Sequence, residues 1–111
     1  MIQVFVYGTL KRGERNFHHL RDARFVGEHL TRPRYTMYSF DSYPAVCQNG
    51  RQAIEGEIFR VSARRLLALD RLEGHPEYYR RIRIETEYGQ AWMYVMQRER
   101  CLGRKQIGGS W

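Results

Sequence analysis

Glu73 occupies a position that an ordinary surface glutamate avoids. The segment Ser62–Glu73 reads as a helix, and at about 100° per residue Leu66, Leu69 and Glu73 fall within one narrow arc. Asp70 lies to one side of that arc, Leu67 and Leu72 flank it more widely, and Arg64, Arg65 and Arg71 point elsewhere. Glu73 therefore continues the apolar stripe. It also sits in the last turn, where the helix dipole disfavours negative charge. Partial burial and the dipole both raise a carboxyl pKa. A carboxyl tuned toward neutrality suits a general acid/base. The competing reading is a frayed helix end with Glu73 in water or paired with an arginine. Asp70, on the edge of the same face, suits a structural hydrogen bond from a neighbouring loop.

A second candidate is the loop Gly8-Thr9-Leu10, which follows directly on an apolar strand. Glycine permits a tight turn and close approach to a ligand. Successive backbone N–H groups in such a turn form a nest for a carboxylate or a developing oxyanion. A plain tight turn fits the same residues. The loop is no P-loop, because the Gly-Lys-Ser/Thr ending is absent. Third comes Tyr78-Tyr79-Arg80, just after the helix and Pro76. A tyrosine there can orient the Glu73 carboxylate by hydrogen bonding, and Arg80 or Arg81 can pair with a substrate carboxylate. The alternative is aromatic packing on a sheet with solvated arginines.

The elements that must position these residues are mostly strands. Ile2–Tyr7 is apolar on both faces and reads as a central strand. Asn16 is a candidate cap for a short helix over Phe17–Arg21. Arg24–Leu30 and Arg34–Phe40 read as strands, Asp41–Pro44 as a turn, and Gln48–Arg51 as a turn centred on Asn49-Gly50. Ala53–Val61 alternates as a strand with Gly56 as a bulge candidate. Ser62 is a good N-cap for the helix and Gly74 a good residue to end it. Arg80–Glu87 and Gln90–Gln97 form a hairpin about Tyr88-Gly89. Arg98–Trp111 is a polar, Gly-rich tail with Leu102, Ile107 and Trp111 as anchors. The sum is a strand-dominated α+β domain over residues 1–111 with one main helix, its sheet curling into a small mixed barrel that covers the strand edges.

Composition narrows the function classes. The 111 residues carry 19 Lys+Arg against 12 Asp+Glu, a net charge of +7, and the only lysines are Lys11 and Lys105. Such a balance suits nucleic acid or anionic small molecules. The arginines are scattered from Arg12 to Arg104, which weakens the case for a nucleic-acid-binding barrel. No apolar run approaches the roughly 18 residues of a membrane span, and Met-Ile-Gln-Val-Phe-Val-Tyr does not read as a signal peptide. Cys47 and Cys101 read as two free thiols of a cytoplasmic protein. No CxxC or HxxxH spacing points to zinc.

Taken together these residues resemble the γ-glutamylcyclotransferase-like family, on its γ-glutamylamine cyclotransferase (AIG2-like) branch. The resemblance begins at Val4-Phe5-Val6-Tyr7-Gly8-Thr9-Leu10-Lys11-Arg12-Gly13 with Asn16. It runs through Tyr43-Pro44-Ala45 and Glu55-Gly56-Glu57-Ile58-Phe59 to Leu69-Asp70-Arg71-Leu72-Glu73-Gly74-His75-Pro76 and Tyr79-Arg80. It implies a small mixed α/β barrel with a cavity at one end. It implies intramolecular aminolysis, in which the α-amine of a γ-glutamyl group attacks its own γ-carbonyl to give 5-oxoproline and a free amine. By the same resemblance Glu73 is the catalytic glutamate, Tyr7, Gly8, Thr9 and Leu10 form the substrate-binding loop, and Tyr79 is a recurrent tyrosine near the glutamate. The partner is then a small γ-glutamyl compound, with no cofactor. The tail Arg98–Trp111 matches nothing diagnostic, which leaves the leaving amine open. A relative that binds a small carboxylate without turnover remains the alternative within the family.

Overall fold

The computed structural model describes all 111 residues, Met1–Trp111. Strand β1 (Ile2–Val6) lies at the centre, antiparallel to β5 (Glu55–Val61) and parallel to β7 (Gly89–Met96). Its alternation explains that placement. Val4 and Val6 enter one apolar cluster and Phe5 the other, so the strand is buried on both faces as its sequence requires. With β2 (Arg24–Leu30) and β6 (Tyr79–Thr86) outermost, the large sheet runs β2-β5-β1-β7-β6. A smaller sheet, β4-β3-β8, joins Pro44–Gln52, Tyr35–Ser39 and Lys105–Ile107.

The α+β class with one main helix stands, and the sheets curl without closing into a continuous hydrogen-bonded barrel. Side chains span part of the seam. The tip of the β6–β7 hairpin reaches the other edge strand, where Tyr88 Oη donates to Glu28 O at 3.0 Å and Glu87 meets His29 Nδ1.

Three local features differ from the sequence reading. The bulge expected at Gly56 lies in β2 instead, where pairing shifts between Phe25 and Gly27. Gly56 is required for a different reason, since a Cβ there would stand 2.4 Å from Val6 O. The turn expected over Gln48–Arg51 is an outward excursion within β4: Tyr35 pairs with Gln52 and Thr36 with Cys47, and Thr36 Oγ1 donates to Asn49 O at 2.9 Å. The tail is structured. It forms a short helix α2 (Arg98–Cys101) and β8, with Ile107 and Trp111 packed on the core and Leu102 in solvent.

Cys47 and Cys101 are both buried and free, with their sulfurs 2.8 Å apart. Burial and the neighbouring thiol push Cys47 up to about 12.

Helix α1 (Ala63–Glu73) is fixed at both ends by its own sequence. Ser62 Oγ accepts from Arg65 N–H at 3.1 Å. Gly74, in the left-handed region at φ 67°, ends it, with Gly74 N–H donating to Arg71 O and His75 N–H to Asp70 O. That is the paired C-terminal pattern which satisfies the last free carbonyls. Leu66, Leu69 and Asp70 are buried, whereas Leu67 and Leu72 are exposed. No helix is long and apolar enough to cross a membrane.

Candidate active site

The end of β1, the end of α1 and the start of β6 converge on a cavity of about 300 Å³. Its wall holds Tyr7, Gly8, Thr9, Leu10, Glu73 and Tyr79, all six residues singled out from the sequence. Arg15, Asn16, Tyr43, Pro44, Tyr78 and Tyr94 complete its polar and aromatic lining.

Glu73 is the only carboxyl in the lining. It is half-buried and makes no hydrogen bond or ion pair with the protein. Desolvation alone pushes its pKa up to about 7. The sequence argument for a partly buried carboxyl at the end of an apolar stripe agrees with this placement.

The loop after β1 is held from inside. Lys11 N–H donates to Gly8 O at 3.1 Å and Asn16 N–H to Thr9 O at 2.9 Å. Asn16, expected as a helix cap, makes no cap bond to the 3₁₀ turn Phe17–Leu20. Its Nδ2 instead donates to Thr9 Oγ1 at 2.9 Å, which staples the loop. The amides of Thr9 and Leu10 donate to no protein acceptor. Gly8 is required because Pro44 packs against it: a Cβ would lie 2.7 Å from Pro44 Cγ.

The tyrosines serve this frame rather than Glu73. The hydrogen bond expected to Glu73 from Tyr78 or Tyr79 is made by neither, because Tyr79 Oη donates to Pro44 O at 2.8 Å and Tyr78 meets Tyr43. Tyr7 Oη donates to Tyr94 O at 2.7 Å, and Tyr94 Oη to Asp70 Oδ1 at 2.6 Å. Tyr43 and Tyr78 pair through their hydroxyls. Burial first of all holds the Tyr7, Tyr79 and Tyr94 hydroxyls above their ordinary pKa, with Glu73 adding at Tyr7, Tyr7 at Tyr79 and Asp70 at Tyr94. They stay protonated near neutrality and act as donors. Tyr78 is likewise pushed up to about 12, by burial first and by Tyr43 second.

The arginine expectation also changes. Arg81 is committed to Asp70 by two bonds, 2.8 Å from Nε and 3.1 Å from a terminal nitrogen. Arg80 is exposed and holds Gln48. The guanidinium in the cavity wall belongs to Arg15, which sequence reasoning did not single out. It stands next to Asn16, whose bond to Thr9 is a contact that no periodicity announces. A second cavity, near β2 and β5, has its carboxylates partly engaged: Arg12 holds Glu57, and His29 meets Glu87.

A lone, desolvated carboxyl and a loop with unpaired amides line one small cavity, an arrangement that can support proton transfer beside a polarised carbonyl. The comparisons with known proteins agree on one family. The profile described as "Gamma-glutamyl cyclotransferase, AIG2-like" matches residues 4–111. A Vibrio cholerae protein named as a candidate gamma-glutamylcyclotransferase is 40% identical over 108 residues, covering 97% of this chain and 93% of that protein. Escherichia coli YtfP, a gamma-glutamylcyclotransferase family protein, is 39% identical over 98 residues, covering 87% and 84%. A mouse AIG2-like crystal structure superposes with a TM-score of 0.82 at 26% identity, covering 98% of this chain and 87% of that one. The chain belongs to the gamma-glutamyl cyclotransferase, AIG2-like family.

Proposed function

We propose that this protein is a γ-glutamylamine cyclotransferase with Glu73 as its general acid/base. The observation that carries the reading is Glu73 itself: a single unpartnered carboxyl with a pKa of about 7, in a cavity also lined by the loop whose Thr9 and Leu10 amides are unpaired. The glutamyl group lies against Tyr7–Leu10, with the Thr9 and Leu10 amides positioned for its carboxylate or for the oxyanion. Tyr79 contributes through Pro44, whose carbonyl it holds and whose ring sets the Gly8 turn.

The α-amine attacks the γ-carbonyl, and a C–N bond closes the ring. Glu73 takes a proton from the attacking nitrogen and delivers one to the departing nitrogen. The original amide C–N bond then breaks, leaving 5-oxoproline and a free amine, with no water consumed. Holding amine over carbonyl supplies the orientation that makes a unimolecular step fast. A carboxyl with a pKa near 7 is half-protonated at physiological pH, so one group serves both transfers.

The test is turnover of γ-glutamyl-ε-lysine and a panel of γ-glutamylamines, read as 5-oxoproline and amine. Glu73→Gln should lower kcat by about 10²–10⁴-fold with an unchanged circular dichroism spectrum. Full activity in that variant rejects the mechanism. Binding of γ-glutamyl compounds without any product points to the non-catalytic carboxylate binder instead.

A further inference from the structure

The mouth of the cavity carries positive charge that the protein leaves unused. Arg15 is exposed, lines the cavity and takes part in none of the four ion pairs. No side chain or carbonyl accepts from its guanidinium, while its backbone is tied down: Arg15 O meets His18 Nδ1 at 3.2 Å and the next residue is stapled to Thr9. Two further arginines, from the tail, lie over aromatic rings in or next to the cavity wall. The Arg100 guanidinium lies over Tyr78 at 5.2 Å, and that of Arg104 over Phe40 at 4.2 Å. Phe40 in turn stacks on Tyr43. Neither arginine is paired with a carboxylate.

We infer that Arg15 is a specificity residue which binds a carboxylate on the leaving-amine half of the substrate. The inference rests on the cyclotransferase reading above and names the chemistry of the half which that reading leaves open. Depth decides which half Arg15 meets. Glu73 and the Thr9 and Leu10 amides mark the reacting end, and Arg15 stands in solvent at the opening. A substrate seated with its γ-carbonyl at Glu73 directs its departing amine outward. A guanidinium there favours an anionic group by charge-assisted, bidentate hydrogen bonds and disfavours a second cation. The net charge of +7 adds a field of the same sign.

The probes are γ-glutamyl-ε-lysine with its lysine carboxylate free, and the same compound with that carboxylate as a carboxamide. Both carry the glutamyl α-carboxylate, so they differ only at the leaving half. The protein should prefer the acid by about tenfold in kcat/KM, most of it in KM. Arg15→Gln should bring the ratio close to one, and Arg15→Lys should restore part of it. If Arg15→Gln lowers both substrates equally, Arg15 grips the glutamyl end and the inference fails. An unchanged ratio in Arg15→Gln also overturns it. Calorimetry of both compounds with Glu73→Gln, with and without Arg15→Gln, repeats the comparison without turnover. Selective binding of the acid that is lost with Arg15 supports the inference even where no product forms, in which case only the cyclotransferase reading falls. Failure of both compounds to bind overturns the inference too.

Discussion

One helical turn separates Asp70 from Glu73, and their surroundings are opposite. On the Asp70 side every lone pair that matters is met: Arg81 donates twice and Tyr94 once. Burial would raise the Asp70 pKa, but the bonds from Arg81 and Tyr94 outweigh it and hold the carboxyl below its ordinary value. Arg81 is raised in return, so the two partners agree. On the Glu73 side nothing answers the carboxyl, and desolvation carries it to about 7. Two acids on one helix thus take two roles. The first ties the end of α1 to β6 and β7, and the second carries no such tie and is the one to which the proposed mechanism gives the proton transfers.

The contrast predicts first that removing the answered carboxyl harms the fold more than removing the free one. Asp70→Ala strips the partner from a largely buried Arg81 guanidinium and from Tyr94 Oη. It should cost about 3 kcal/mol, the low end for a broken buried pair, read as a shift of the urea midpoint. A loss under about 1 kcal/mol would mean that solvent screens the pair and that Asp70 does not hold the site. Because the end of α1 carries Glu73, turnover should fall as well.

Glu73→Gln sharpens the same contrast from the other side, through pH. The folded pKa of about 7 lies above the ordinary 4.5. Between those values the native protein keeps a proton that the unfolded chain has released, so its stability falls as pH rises. Above pH 7 the ionised carboxyl carries its full desolvation cost. Glu73→Gln should therefore be more stable than the parent at pH 8, by on the order of 2 kcal/mol after discounting for partial exposure. The gain should vanish at pH 4. Urea titrations at the two pH values decide it, and a gain that is equal at both assigns the effect to packing rather than to charge.

Much of this arrangement was legible in the sequence, and the boundary of what was legible is physical. The stripe Leu66-Leu69-Glu73 and the stop at Gly74 are local: helical periodicity and a left-handed residue fix them whatever surrounds them. Arg24–Leu30 likewise reads as the strand it forms. Partner choice is not local. Arg81 looked available to a substrate because its acceptor, Asp70, lies on another element, brought close only by packing. The pair Tyr78-Tyr79 reads as a source of a bond to Glu73 because the actual partners, Tyr43 and Pro44 O, each lie 35 residues away in the chain. Arg15 gives no sequence signal because it sits in a loop, beside a bond between two polar side chains, where no pattern repeats. The outward excursion at 48–51 reads as a turn because Asn49-Gly50 gives the same local signal in either setting.

The smallest effect tests how far the Asp70 side depends on its tyrosine. Tyr94→Phe keeps the ring in the core and deletes only the 2.6 Å hydrogen bond to Asp70 Oδ1. At neutral pH the loss should be about 1.5 kcal/mol, the low end for a bond to a charged group, because Arg81 still holds the carboxylate. The bond belongs to the ionised form, so its removal lets the Asp70 pKa climb back toward 3.8. A depressed carboxyl contributes stability that is present above its unfolded pKa and lost as pH falls through the folded one. The difference between Tyr94→Phe and the parent should therefore hold at every pH above about 4 and shrink in stronger acid, as followed by thermal melts. A difference that persists undiminished in acid would assign the hydroxyl to packing of the cavity wall, and Asp70 would then owe its ionised state to Arg81 alone.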